Sequence, residues 1–242
     1  MKSIIKIHSI YLIFLNFLPD KIRKHFKRII NANLVFQLIL HPLNFRLIKE
    51  NLSSAFKKQR IKFHRIIEKQ SKIKDFFFIQ IGSNDGKLGD PIHDYIIKYN
   101  WSGILIEPIK YIYNKLLRTY EKQKNLTIEN VAISDKNEIR TFYRLKENKN
   151  GLPIWYEQLG TFFLEILLSH KKQIHNIEDY LITEEVNCVT FNELVRKHNV
   201  RKIDLLHIDT EGYDDEIIKS IDFTKIRPNI ILYENKHLKN ED

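Results

Sequence analysis

From residue 76 onward the chain alternates short apolar, β-rich runs with helical patterns. FFFIQI (76–81) reads as a strand and PIHDYIIKY as the helix after it. GILIEP (103–108) reads as a second strand, followed by the helical run KYIYNKLLRTYEK. LTIENVAI (126–133) and EIRTFYRL (138–145) read as strands, and NCVTFNELVRKHN passes from strand into helix. KIDLLHID (202–209) is a strand, DDEIIKSI a helix and PNIILYE (228–234) a fifth core strand. Strands that are apolar throughout and separated by helices predict a mostly parallel sheet covered on both faces. Right-handed crossovers then give a Rossmann-like, doubly wound α/β fold. Ligands of such sheets bind beyond the carboxyl ends of the strands, so each strand end is a candidate position. The alternation lapses over an insertion, residues 146–186, which holds GLPIWYEQLGTFF. It is expected to form either a substrate wall or a peripheral helical pair. Its aromatics, Trp155, Tyr156, Phe162 and Phe163, suit either a sugar ring or a small core.

The first third has a different texture. Pro19-Asp20 and His41-Pro42 punctuate it into three expected helical segments, roughly 3–18, 21–40 and 43–73. Leu47, Ile48, Leu52, Ala55, Phe56, Phe63, Ile66 and Ile67 approximate an apolar stripe in the third, and no glycine occurs before Gly82. The organisation expected is therefore a basic helical extension over 1–74 and an α/β domain over 75–242.

Charge sharpens that division. Residues 1–75 carry 17 Lys and Arg against 4 Asp and Glu, a net of +13 within a chain total of +10. The remainder is thus mildly acidic, a poor match for a nucleic-acid backbone. The longest apolar run near the start, Ile10 to Leu15, is far below the ~20 residues that span a bilayer. No secretory cleavage pattern follows it. The segment is expected either to pack on the domain or to lie at a membrane surface beside KIRKHFKR (21–28). These features predict a cytoplasmic protein, with peripheral contact at the inner face of the membrane as the second option. The single cysteine, Cys188, excludes a disulfide framework and reads as a small buried residue. No spacing suggests a metal site.

Candidate chemistry starts with QIGSNDG (80–86). Gly82 and Gly86 permit a turn and a close approach that a Cβ would block. Twenty-one residues after Gly86, Glu107 ends the second strand, where a carboxylate can accept from ribose hydroxyls. The order strand, glycine turn, helix, strand, acid indicates a nucleoside ligand. The turn lacks the G-x-G-x-x-G order of a dinucleotide site, and Asp85 within it would repel a pyrophosphate. S-adenosylmethionine fits instead, with a ribose, no phosphate and two cationic groups. Asp85 serves equally well as a helix cap.

A second cluster closes the fourth core strand, in IDLLHIDTEGYDDEII. Asp209 and Glu211 emerge at the strand end, and His207 shares the face of Asp209. Asp214, Asp215 and Glu216 are explained by the first turn of a helix. Glu234 ends the fifth strand and is a further candidate for the cleft. Asp209 is the first candidate general base, with Glu211 and His207 next.

At these residues the chain resembles the FkbM-type family of S-adenosylmethionine-dependent methyltransferases, over about residues 76 to 238. The resemblance rests on QIGSNDG, GILIEP, ENVAISDKNEIRTFY, VTFNELVRKHNVRKIDLLHIDTEGYDDEII and RPNIILYENKHL together. It implies a class I methyltransferase-like fold and O-methylation of a hydroxyl on a sugar, glycan or related small molecule. By the same resemblance Gly82, Ser83, Asn84, Asp85 and Gly86 would line the methionine end of the cofactor. Glu107 would take the ribose, and Asn130, Val131 and Ala132 would border the adenine. Asp209 and Glu211 would sit by the transferring methyl. The chain departs from the pattern by lacking the C-terminal hairpin that ordinarily completes the far edge. The strand at 228–234 would then be an exposed edge, to be covered by the N-terminal helices, the insertion or a second copy in a homo-oligomer. Two rival readings stand beside the enzyme: an RNA methyltransferase that uses the basic N-terminal helices, and a truncated, non-enzymatic interaction protein.

Overall fold

The computed structural model describes residues 4–7, 10–14, 65–70, 72–147 and 152–234. In chain order its elements begin with strands β1 (Ile4–Ile7) and β2 (Ile10–Phe14), then helix α1 over residues 65–70. β3 (Phe77–Ile81), α2 (His93–Tyr99), β4 (Ser102–Ile106), α3 (Lys110–Thr119) and β5 (Leu126–Glu129) follow. Next come β6 (Ala132–Ser134), β7 (Glu138–Leu145), β8 (Gly160–Thr161), α4 (Leu164–Leu168) and β9 (Leu181–Thr190). α5 (Phe191–Lys197), β10 (Leu205–Ile208), α6 (Asp214–Ser220) and β11 (Ile230–Glu234) complete the series.

The main sheet runs β1-β2-β11-β10-β3-β4-β5, and its five strands from β11 to β5 are mutually parallel. The apolar strands explain this arrangement, because alternate residues of each feed opposite cores. Phe78, Leu105, Leu205 and Leu232 enter one cluster with Ile92, Ile96, Trp101 and the α1 residues Ile66 and Ile67. Ile79, Ile81, Ile104, Leu206, Ile208 and Ile231 enter the other with Phe191, Leu194, Ile217 and Ile218. After β3 the chain moves out to β4 and β5, then returns on the other side of β3 to form β10. The point where the order reverses lies between β3 and β10, the place where open α/β sheets bind ligands.

The start of the chain differs from the expected helix over 3–18. Residues Ile4–Ile7 and Ile10–Phe14 are strands, paired antiparallel to each other, and β2 pairs antiparallel with β11 from Phe14↔Ile230 to Ile10↔Glu234. The correction has a physical basis. IIKI and IYLIF are β-branched and aromatic, and β11 offers a row of unpaired backbone groups. The edge of β11 is thus met by the N-terminal segment, as strands rather than helices. The expected helix over 21–40 and most of that over 43–73 lie outside the described residues.

A second, mixed sheet, β6-β9-β7-β8, flanks the ligand side. LTIENVAI is not one strand but two, split between the sheets. At the break the Asn130 side chain donates to the carbonyls of Glu107 and Pro108 at 2.9 and 2.8 Å, which ties the turn to the end of β4. The insertion is shorter than its expected bounds, because β9 begins at Leu181 and pairs along β7 as far as Glu138↔Cys188. Its helical turns bury Tyr156, Leu159, Leu167, Ile174 and Ile177 against Leu145 in a core of their own. Tyr156 therefore packs, and Trp155 packs beside it. Phe162 alone of the four insertion aromatics borders the cleft. Cys188 is buried in the sheet, as read.

Candidate functional site

The glycine turn after β3 is built by close backbone contacts. Gly82 has φ of +76°, and a Cβ there would overlap the carbonyl oxygen of Asp209. The absent side chain lets the ends of β3 and β10 meet, and the Asp209 N–H donates to the Ile81 carbonyl at 3.0 Å. On the other flank the N–H groups of Gly82 and Ser83 both donate to the Ile106 carbonyl, at 3.1 and 2.9 Å. Ser83 Oγ donates to the Gln80 carbonyl and accepts from the Ile106 N–H. Its hydroxyl is thus a strap between strand ends, and Ser83 faces the cleft mainly through its backbone.

Glu107 sits at the end of β4, 4% exposed. Its Oε2 accepts from the Asn84 N–H at 3.0 Å and its Oε1 from the Ile109 N–H at 2.8 Å. Burial pushes its pKa up to about 7, against the pull of those two backbone donors. Asn84 reaches this contact in a left-handed conformation, φ +49°, which asparagine tolerates better than most residues.

One cleft collects most of the expected residues. Gly82, Ser83, Asn84, Glu107, Val131, Ala132, His207, Asp209 and Glu211 all line it. Asn130 stands just behind, fixing the turn. Asp85 and Gly86 are not in the lining. The Asp85 carboxylate accepts from the N–H groups of Lys87 and Leu88 at 2.9 and 2.8 Å, so it caps the turn. Gly86 packs against Leu116 and Tyr120, whose hydroxyl donates to the Gly86 carbonyl at 2.9 Å. The side chain of Glu234 lies outside the described set.

The aspartate after the glycine turn that does line the cleft is Asp90, which sequence reasoning did not single out. In GDPI it reads as an ordinary turn and helix-start residue, and its Oδ1 plays that part by accepting from the Ile92 N–H at 2.8 Å. Burial pushes its pKa up to about 6, opposed by the Ile92 N–H and the Gln80 side chain. Gln80, at the end of β3, and Phe142, on β7, also line the cleft without having been anticipated. Neither carried a signal, since each occupies a regular strand position.

His207 is 2% exposed, and burial alone lowers its pKa to about 3. The imidazole is therefore neutral near physiological pH. Beyond β10, Glu211 takes a left-handed backbone, φ +49°, before Gly212. Two contacts hold that turn. Thr161 Oγ1 donates to the Glu211 carbonyl at 2.9 Å, and the buried Asp214 carboxylate accepts from the N–H and hydroxyl of Thr210 at 3.2 and 2.8 Å. Asp214 thus braces the turn, in addition to the helix-start role read for it.

The lining is chemically polarised. Ile109, Val131, Ala132, Ile133, Phe142 and Phe162 form an apolar wall, and Asp90, Glu107, Asp209 and Glu211 supply four carboxyl groups. No lysine or arginine lines it among the described residues. A phosphate would meet no counter-charge here, whereas a nucleoside bearing positive charge would find both an apolar slot and acids. Among the described residues no three His, Cys, Asp or Glu side chains converge as a metal site.

Comparison with known proteins bears on the same region. No curated protein matches the chain. Residues 80–242, which include every strand tip of the cleft and both turns that shape it, match the methyltransferase FkbM domain, and the chain belongs to that family of methyltransferases.

Proposed function

We propose that this protein is an S-adenosylmethionine-dependent O-methyltransferase acting on a hydroxyl of a sugar, glycan or related small molecule. The observation that carries the reading is the lining of the cleft: four carboxyl-bearing residues and, among the described residues, no lysine or arginine, at the switch point of a doubly wound sheet. The chain's own groups fit the cofactor. The turn at Gly82 gives the close backbone approach, Glu107 stands where ribose hydroxyls are met, and the apolar wall from Ile109 to Phe162 suits a purine. When bound, S-adenosylmethionine supplies a methyl made electrophilic by the positive sulfur.

The protein's share is then alignment and proton removal. Holding a hydroxyl on the line of attack supplies at most ~7–11 kcal/mol in the best intramolecular cases. Accepting its proton contributes about 10²–10⁴-fold in rate. Asp209 is the base we assign, with Glu211 beside it. Protonating Asp209 neutralises a charge at the strand tip, while protonating His207 would leave a buried imidazolium with no hydrogen-bond partner among the described residues. The left-handed backbone at Glu211, held by Thr161 from the insertion, supports a positioned side chain, since such strain costs about 1–3 kcal/mol and persists where the surroundings impose it.

Calorimetric titration with S-adenosylmethionine and, separately, with a nicotinamide dinucleotide tests the cofactor. Saturable binding of the first and none of the second is expected, and the opposite pattern would overturn the reading. Transfer of labelled methyl to a panel of surface-glycan precursors then identifies the acceptor class. Binding without transfer to any hydroxyl compound would remove the O-methylation assignment.

A further inference from the structure

The turn between β3 and α2 carries an exposed tip, Lys87-Leu88, bracketed by two glycines of positive φ, Gly86 at +70° and Gly89 at +71°. Its flanks are bolted down. Thr119 Oγ1 donates to the Asp85 carbonyl at 2.7 Å and the Tyr120 hydroxyl to that of Gly86 at 2.9 Å, and beyond the tip Ile92 is fully buried. Within the turn the tip is held by the Asp85 carboxylate, which accepts from the N–H groups of Lys87 and Leu88. Among the described residues it receives one hydrogen bond from outside the turn. Gln158 Nε2 donates to the Leu88 carbonyl at 2.6 Å.

Gln158 comes from the opposite bank, and that bank is packed in place. It stands in the insertion between the buried Tyr156 and Leu159. Its neighbour Glu157 is ion-paired to Lys115 of α3. Gly160 sits so close to Ile109 and Phe142 that a Cβ there would strike both. Leu88, Gly89 and Gln158 all line the cleft, so the bond crosses it, and the bond is exposed, which puts it at the rim. A fixed wall thus faces a tip with a glycine at each end, and a single solvent-exposed hydrogen bond joins them.

We propose that Gln158 is a positioning residue that latches the tip across the cleft, and that the tip swings about Gly86 and Gly89 to admit and release ligand. The choice of probe rests on the proposed cofactor. Loop motions of this size are fast, in the nanosecond to microsecond range. The latch therefore sets the fraction of time the rim is open rather than adding a slow step. Association and dissociation both need an open rim, so both rates scale with that fraction, while the affinity does not. A side chain that touched the ligand itself would act differently, by slowing dissociation alone.

Surface plasmon resonance with S-adenosylhomocysteine reads both rates. Gln158→Ala should raise the association and dissociation rate constants together, by about 2- to 10-fold, the net worth of one neutral hydrogen bond. Kd should stay within about twofold of wild type. Gln158→Glu keeps the length of the side chain but sets a carboxylate against a carbonyl, and it should raise both rates at least as far. In the wild type, amide exchange at Lys87 and Leu88 should outpace that at Gly86 and Ile92, because swinging the tip breaks the bonds to Asp85. Unchanged rates, or a rise in dissociation alone, would overturn the latch. So would exchange at the wild-type tip as slow as at its flanks, a result that needs no variant to fold. These outcomes leave cofactor binding intact. A wild-type protein that does not bind S-adenosylhomocysteine defeats the methyl-transfer reading instead, and the exchange comparison still decides the latch.

Discussion

Asp209 and Gly82 touch through the backbone, and the contact divides their roles. The Asp209 carbonyl fills the space where Gly82 lacks a Cβ, and the residue lines the cleft. Asp209→Asn keeps the backbone and removes the proton acceptor. Turnover is expected to fall about 10²–10⁴-fold, with cofactor affinity within a few-fold of wild type. Steady-state kinetics beside calorimetry checks this, and unchanged turnover rejects the assignment. Gly82→Ala must both overlap a carbonyl and hold φ at +76°, so the two strand ends are forced apart. A loss of at least about 1–3 kcal/mol of stability is expected in urea unfolding, with cofactor binding lost first. Glu107 carries a pH prediction. Its folded pKa, about 7, is above the ordinary 4.5, so between these values the folded state holds a proton that the unfolded state has lost. Stability from this group is therefore greatest at low pH and declines as pH rises through that window. Thermal melting of the ligand-free protein should show wild type losing stability relative to Glu107→Gln from about pH 4.5 to about pH 7. A pH-independent difference would sink the idea. At this scale the strand-end residues were legible, because a strand's last residue and its alternate positions are set by local geometry. Which aspartate of the turn lines the cleft was not. Asp85 and Asp90 are both turn aspartates by sequence, and only the packing of Gly86 on Tyr120 and the contact of Asp90 with Gln80 tell them apart.

Elements were read well where periodicity persisted and poorly where a side chain broke it. EIRTFYRL is a strand over its full expected length, and α5 begins where Thr190 and Glu193 form a capping sequence. Thr190 Oγ1 accepts from the Glu193 N–H at 3.1 Å. Thr190→Ala is expected to cost about 0.5–2 kcal/mol in chemical denaturation without changing cofactor affinity, since the cap lies outside the cleft lining. An altered affinity would show that α5 is coupled to the site. By contrast, LTIENVAI looked continuous, and the break at Asn130 comes from hydrogen bonds to the end of β4. No local pattern announces a contact over 22 residues of separation. The insertion, too, gave no period to read, because its short helical turns are held by a small core rather than by repeated faces.

On the scale of the whole molecule, the sheet's far edge is the open question that sequence raised and pairing answers. β2 lies along β11 over five residue pairs and covers its edge. Removal of residues 1–14 should therefore expose β11 and drive self-association, detectable by light scattering at constant concentration. A truncated protein that stays monodisperse and stable would show that the pairing matters little. The basic residues of the first 75 lie mostly outside the described set, so the nucleic-acid and membrane readings remain proposals about that segment. Among the described residues no helix is long and apolar enough to cross a membrane. The sequence alone determined the alternating strands and helices, the parallel core sheet, the glycine turn and the acids at the strand tips. Each of these follows from a period of two or 3.6 residues, or from backbone freedom at one position, and both are local properties. Only the tertiary structure decided that the N-terminal segment is a pair of strands, that Asp85 faces the turn and that Asp90 lines the cleft. Those outcomes depend on which unpaired edge, cavity or hydrogen-bonding group a distant part of the chain presents, and local sequence carries no record of that.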